Sequence, residues 1–323
     1  RDHCVTGVQT CALPIYEITA DHKILSENDQ GRHDEKAALV IYDRFTSWTQ
    51  AFPAPTKSAE EVASGFQKFL GPQVKRKHIY TDGSREFAKA MRELGYPHDT
   101  STPHHSESNG VAERTIRRVK EGTATTLVQS GLAESWWSDA MSCYCLMRNA
   151  IDPVRDGMTP YRLKFGIDFP GPLIPFGAAV DYKPSSEQDK RRLHEFGPNV
   201  LAGIFMGYSQ QHGGGWNGDL LILDQEDISE ADSVRDVYLK RIPASQVNVV
   251  KVQDKYRFPF LTGELRQPDA NPHRPHNPLA EDDIGSQCGQ KRPRDEPDSK
   301  EKEDEEFAKE CEKIESEIGR AHV

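Results

Sequence analysis

Apolar and polar residues begin to alternate at Glu17-Ile18-Thr19-Ala20-Asp21-His22-Lys23-Ile24, a period of two that predicts a strand with Asp21 near its middle. A polar loop from Ser26 to Lys36 separates it from the apolar run Ala37-Ala38-Leu39-Val40-Ile41-Tyr42-Asp43, which reads as a buried strand. Trp48 to Ala54 is its antiparallel hairpin partner, with the turn around Thr46-Ser47. The period then changes to that of a helix. Ser58 caps it, Glu61 completes a capping box, Val62, Phe66, Phe69 and Leu70 form the buried stripe, and Gly71-Pro72 ends it. A short apolar strand stops at Asp82, where Gly83-Ser84 turns the chain into a helix from about Arg85 to Leu94. An extended piece near Thr100 follows. A longer helix opens after Asn109-Gly110, with Ala112, Ile116, Val119, Thr123 and Leu127 on its apolar side. Strands and helices in this order predict an α/β fold, a mixed sheet flanked by helices.

Downstream, Leu132 to Ile151 reads as a helix whose Trp136, Trp137, Met141, Tyr144, Leu146 and Met147 pack against the sheet. Asp152-Pro153 breaks it. Strands are expected in Val200–Tyr208, Asp219–Asp224 and Val237–Ile242, with Gly213-Gly214-Gly215 as the loop of a hairpin. A phosphate-binding loop is disfavoured there, because neither Gly-Lys-Ser, Gly-Lys-Thr nor a following helix accompanies the glycines. The expected plan is a core at 16–152, a linker at 153–184, a small β-rich module at 185–250 and a disordered acidic tail at 251–317. Residues 1–15 and 318–323 read as translated sequencing adapter. Val5-Thr6-Gly7-Val8-Gln9-Thr10-Cys11 and Gly319-Arg320-Ala321-His322-Val323 carry that resemblance, so the chain is expected to be a piece of a longer reading frame.

Charge alters this picture only once it is located. The formal net charge is -10, which is unfavourable for a nucleic-acid binder. Glu296 to Glu317 holds 11 acidic and 4 basic residues, leaving a net of only -3 for the rest. The acidity thus belongs to the tail. A hydrophobic fraction of 36% and a mean hydropathy of -0.72 fit a folded part joined to a solvated one. No apolar run approaches the ~20 residues that span a bilayer, so no membrane partner is expected. Outside the adapter-like start, Cys143, Cys145, Cys288 and Cys311 show no zinc spacing, which predicts free thiols in a reducing compartment.

Asp82, at the open end of a strand, and Glu113, in the first turn of the long helix, are candidate ligands for a hard divalent cation. Asp21 is the preferred third carboxylate. Its competitor Asp43 has a simpler role as a strand-end or turn partner. Arg117 and Lys120 follow Glu113 by four and seven residues and share its helix face, as phosphate contacts or as a solvated basic surface. Two ions held by such acids can activate an attacking oxygen and stabilise a leaving oxygen of a phosphodiester.

In Thr-Ala-Asp21-His, Tyr-Thr-Asp82-Gly-Ser-Arg-Glu-Phe and Asn109-Gly-Val-Ala-Glu113-Arg the chain resembles the integrases of retroviruses and long-terminal-repeat retrotransposons, most closely the copia type. Phe176-Gly177 and Gly203-Ile204-Phe205-Met206-Gly207-Tyr208 resemble the region that follows the catalytic core in that type, so the likeness runs from about Glu17 to Val247. It implies an RNase H-like five-stranded sheet, with Asp21, Asp82 and Glu113 binding two Mg²⁺ or Mn²⁺. It further implies DNA contacts from Asn109, Arg117 and Lys120, DNA 3′-end processing and strand transfer, homo-oligomers, and action in the nucleus. Lys291-Arg292-Pro293-Arg294 is a candidate import patch. The chain departs from the family pattern in a shorter spacing between Asp82 and Glu113, and at Gly83, Ser106 and Glu107. A catalytically decayed DNA-binding remnant and a nuclease of the same fold are the competing readings.

Overall fold

The computed structural model describes residues 17–72, 78–100 and 110–268. The adapter-like ends, Asn109, Ser106, Glu107, the Lys291 patch and the tail past residue 268 lie outside them.

The first sheet is built from β1 (Glu17–Ile24), β2 (Ala37–Asp43), β3 (Thr49–Ala54), β4 (His78–Thr81) and β5 (His98–Thr100), in the order β3-β2-β1-β4-β5. β1 pairs antiparallel with β2, and β2 with β3, whereas β4 runs parallel to both β1 and β5. That order and sense make the sheet RNase H-like. The local reasons follow the sequence pattern. Ser58 Oγ accepts from Glu61 N at 3.3 Å to start α1 (Ala59–Leu70), and Gly71 ends it at φ 73°. The helix buries Val62, Phe66, Phe69 and Leu70. α2 (Arg85–Leu94) buries Phe87, Ala90 and Met91. α3 (Gly110–Ser130) packs on β1 and β2 through Ala112, Thr115, Val119, Thr123 and Leu127. Thr115 takes the buried position expected of Ile116, which is half-exposed; its hydroxyl stays satisfied by donating to the Val111 carbonyl at 2.8 Å.

The helix expected from Leu132 enters through a 3-10 turn, Glu134–Trp136, before α4 (Trp137–Ile151). α4 packs against β3 and also against the second sheet. That sheet is antiparallel, in the order β10-β6-β7-β8-β9. Its strands are β6 (Ala179–Tyr182), β7 (Leu201–Gln210), β8 (Trp216–Asp224), β9 (Lys240–Pro243) and β10 (Val247–Val249).

Two expected boundaries differ from what folds. Residues 153–184, expected as a linker, contain α5 (Pro160–Phe165) and β6. Aromatic burial explains this: Tyr161 lies 5.9 Å from Trp48 and 5.2 Å from Phe169, and Phe169 lies 5.3 Å from Tyr208. The ordered chain also continues past Val250. It forms the hairpin β11 (Lys251–Val252) and β12 (Lys255–Tyr256), and Gln267 Oε1 then accepts from Trp136 Nε1 at 3.1 Å. The glycine run is the β7–β8 hairpin loop, as its sequence suggested. Gly213 N donates to Lys68 O at 2.7 Å, and Gly214, at φ 85°, sits where a Cβ would be 2.7 Å from Trp48. Among the described residues no helix is long and apolar enough to cross a membrane. Cys143 and Cys145 are free and buried.

Candidate active site on the first sheet

The parallel register of β1 and β4 pairs Ile18 with Ile79, Thr19 with Tyr80 and Ala20 with Thr81. One residue further along each chain stand Asp21 and Asp82. Neighbouring strands lie ~4.8 Å apart, so the pairing brings the two acids to the same level of the sheet, Asp21 on one face of β1 and Asp82 just past the end of β4. Ile18, Ala20 and His22 occupy the other face, where the His22 ring lies 4.8 Å from Phe87 of α2. Asp21 therefore faces the α3 side. The Asp82 carboxylate is oriented by its own turn, Oδ1 accepting from Ser84 N at 3.2 Å. Asp21 Oδ1 accepts from His22 N at 2.7 Å.

Register also separates Asp21 from Asp43. Asp43 pairs with Ile18, and Asp21 with Val40. Directly opposed residues of an antiparallel pair share a face, so Asp43 points to the α1 and α2 side. It lies three residues, ~10 Å, from the level of Asp21. Its carboxylate accepts from Phe45 N at 2.9 Å and Thr46 N at 3.4 Å, and so closes the turn.

Two histidines, not singled out in the sequence, feel the charge of Asp82. Burial lowers the pKa of His22, against the opposing pull of Asp82. Burial likewise lowers that of His98, opposed by Asp99 and Asp82. His98 Nε2 is 2.9 Å from Thr81 Oγ1. His22 is adjacent to Asp21 in sequence and could have been found there; His98 reaches the site only through strand pairing.

Glu113 lies in the exposed first turn of α3, with Arg117 and Lys120 exposed on the same face. Asn109 falls outside the described residues. Among the described residues, no group of three or more His, Cys, Asp or Glu side chains comes together in a way that could hold an ion. The donor chemistry of Asp21, Asp82 and Glu113 fits a hard divalent cation, but the three carboxylates do not come together as one ligand set in this arrangement.

The first sheet is thus a five-stranded mixed sheet of RNase H-like order, with Asp21 within β1 and Asp82 just past the end of the parallel strand β4. The chain's sequence relatives are retroviral and retrotransposon Pol polyproteins. It is 26% identical over 161 residues to the Gag-Pol polyprotein of Woolly monkey sarcoma virus, a match covering 48% of this chain and 9% of the polyprotein. It is 28% identical over 142 residues to the retrovirus-related Pol polyprotein from transposon RE1 of Arabidopsis thaliana, covering 42% and 10% respectively. The chain thus spans about a tenth of the length of these curated relatives. Among solved structures it is similar to the catalytic core domain of BIV integrase, with a TM-score of 0.36 and 20% identity over 46% of this chain and 93% of that one. No protein-family model matches the chain.

Proposed function

We propose that this chain is the catalytic part of a copia-type retrotransposon integrase, which processes DNA 3′ ends and joins element DNA to target DNA. The observation that supports the proposal is the parallel β1–β4 register, in which Asp21 and Asp82 each follow the last paired residues, Ala20 and Thr81. The Pol polyprotein relatives support it. Asp21, Asp82 and Glu113 are the proposed catalytic and metal-binding residues, for two Mg²⁺ or Mn²⁺. When bound, such ions would supply Lewis-acid activation at the phosphodiester. The reading requires the three carboxylates to draw together when DNA binds, since they form no joint ligand set here. Arg117 and Lys120 neutralise backbone phosphates, and Asn109 contacts the DNA end. The protein acts as a homo-oligomer in the nucleus.

A second reading, a DNA-binding remnant that has lost catalysis, is favoured by the unassembled carboxylate set and by Gly83 in the Asp82 turn. A strand-transfer assay in Mg²⁺ separates them. Joined product from the wild type and none from Asp82→Asn supports the integrase. Salt-sensitive binding without joining identifies the remnant, and cutting without joining a nuclease.

A further inference from the structure

α3 carries more positive charge than the acids' flank accounts for. Arg114, Arg117, Arg118 and Lys120 are all exposed, and none pairs with an acid among the described residues. Successive residues turn by ~100° about the helix axis, so Glu113, Arg117 and Lys120 fall within an arc of ~60°. Arg114 and Arg118 fall on a second flank, roughly 100° further round.

The second flank extends beyond α3. Gly122, one turn after Arg118, has no side chain, and a Cβ there would lie 2.0 Å from Tyr144 Cζ of α4. The Tyr144 phenol is therefore seated against α3, next to the Arg118 position. Burial pushes its pKa up, opposed by Arg148 and more weakly by Arg118, so the hydroxyl is a proton donor at neutral pH. It makes no hydrogen bond among the described residues. Arg114 and Arg118 are ~6 Å apart along the axis, a spacing that lets their guanidinium groups reach neighbouring phosphates of one strand.

We propose that Arg114, Arg118 and Tyr144 form a second nucleic-acid backbone site, which holds a DNA duplex other than the one placed at the acids by Arg117 and Lys120. This rests on the integrase reading, in which two DNAs must meet. The competing geometry, α3 lying in the ~12 Å major groove of one duplex with both flanks on its two strands, needs a free half-cylinder of helix. α4 packs along α3 and, through Tyr144, fills one side of it.

The test uses the full chain, an immobilised linear duplex with a free end, and a fluorescent closed circle that has no ends. Wild type should hold the linear duplex and capture the circle. Arg114→Gln with Arg118→Gln should keep the linear duplex but capture about tenfold less circle, with the salt slope of capture reduced by about two. Tyr144→Phe should act in the same direction by a smaller factor, and Arg117→Gln with Lys120→Gln should instead lose the linear duplex. Undiminished capture by the Arg114/Arg118 variant overturns the second site, as does equal loss of the linear duplex in both double variants. Wild type that retains neither DNA at low salt overturns the integrase reading itself, which the first two outcomes leave standing.

Discussion

The side-chain amide of Asn149 does for Thr49 what another strand would do. Asn149 Oδ1 accepts from Thr49 N at 3.0 Å, and its Nδ2 donates to Thr49 O at 2.7 Å. β3 is the edge of the first sheet, and its outward-facing donors are those of residues 49, 51 and 53. Asn149 takes the first, and Pro53 has no N–H to offer. The edge is closed by α4 rather than left as a template for another chain.

Asn149→Ala should therefore cost about 2–4 kcal/mol, because it leaves a buried N–H and C=O unpaired. It should also promote self-association through β3. Urea midpoints and sedimentation velocity would check both. An unchanged midpoint and a monodisperse variant would show that the edge is protected by packing alone.

Arg32 makes a second long-range connection. It is 5% exposed, lies 4.6 Å over the Trp136 ring, and donates to Asp139 Oδ2 at 2.8 Å and to the Val237 carbonyl at 2.7 Å. It ties the β1–β2 loop, α4 and the approach to β9 together. Arg32→Ala should destabilise the protein by about 3–5 kcal/mol, since Asp139 is left without its partner. Arg32→Met with Asp139→Leu should recover part of that loss in a double-mutant cycle. Additive single effects would mean the ion pair carries none of it.

Much of the first sheet was legible because its strands alternate and its helices are capped by local residues such as Ser58. Asp43 could be assigned to a turn for the same reason. What escaped the sequence is non-local. Asn149 acts on a residue 100 positions away, and no helical period marks it as a strand partner. β6 and β10 are four and three residues long, too short to show a period. Tyr161 and Phe169 looked like loop residues because their partners, Trp48 and Tyr208, lie in other elements. At the candidate site, the sequence named acids but not their separations: β1–β4 pairing brings the segments of Asp21 and Asp82 to one level of the sheet, and the three carboxylates form no joint ligand set.

That pairing has a measurable consequence. Two like charges at neighbouring positions of paired strands repel, by ~0.2–1 kcal/mol. Asp82→Asn should therefore raise the metal-free Tm slightly; on the proposed metal-binding reading, Mn²⁺ should raise the Tm of the wild type and not that of Asp82→Asn. A ligand that binds only the native state stabilises it by ~2.7 kcal/mol at a hundred times its Kd, an effect well within the range of thermal unfolding measurements. Glu113→Gln, at an exposed position in the first turn of α3, should leave the metal-free Tm unchanged. A Tm for Asp82→Asn below that of wild type without metal would mean that the two carboxylates are not near enough to repel.

The last prediction concerns pH and the second sheet. Asp224 is fully buried at the end of β8. Arg192 donates to both of its oxygens, at 2.9 and 3.1 Å, Lys240 Nζ donates at 3.0 Å, and the Tyr182 hydroxyl donates as well. Its Oδ1 also accepts from Glu226 N at 2.9 Å, capping the helix that follows. Burial alone would push this carboxyl up, but the hydrogen bonds from Arg192, Tyr182 and Lys240 outweigh it and hold its pKa far below the ordinary 3.8. A carboxyl depressed in the fold adds stability that is present above its unfolded value and is lost as pH falls toward the folded one. Thermal stability should therefore decline progressively as pH is lowered from about 5 through 3. Asp224→Asn should be less stable at pH 7, because Arg192 and Lys240 lose their shared anion, and its Tm should depend less steeply on pH over that interval. Parallel Tm–pH curves for the two proteins would show that other carboxylates drive the acid transition and that the Asp224 network holds its geometry without contributing to it.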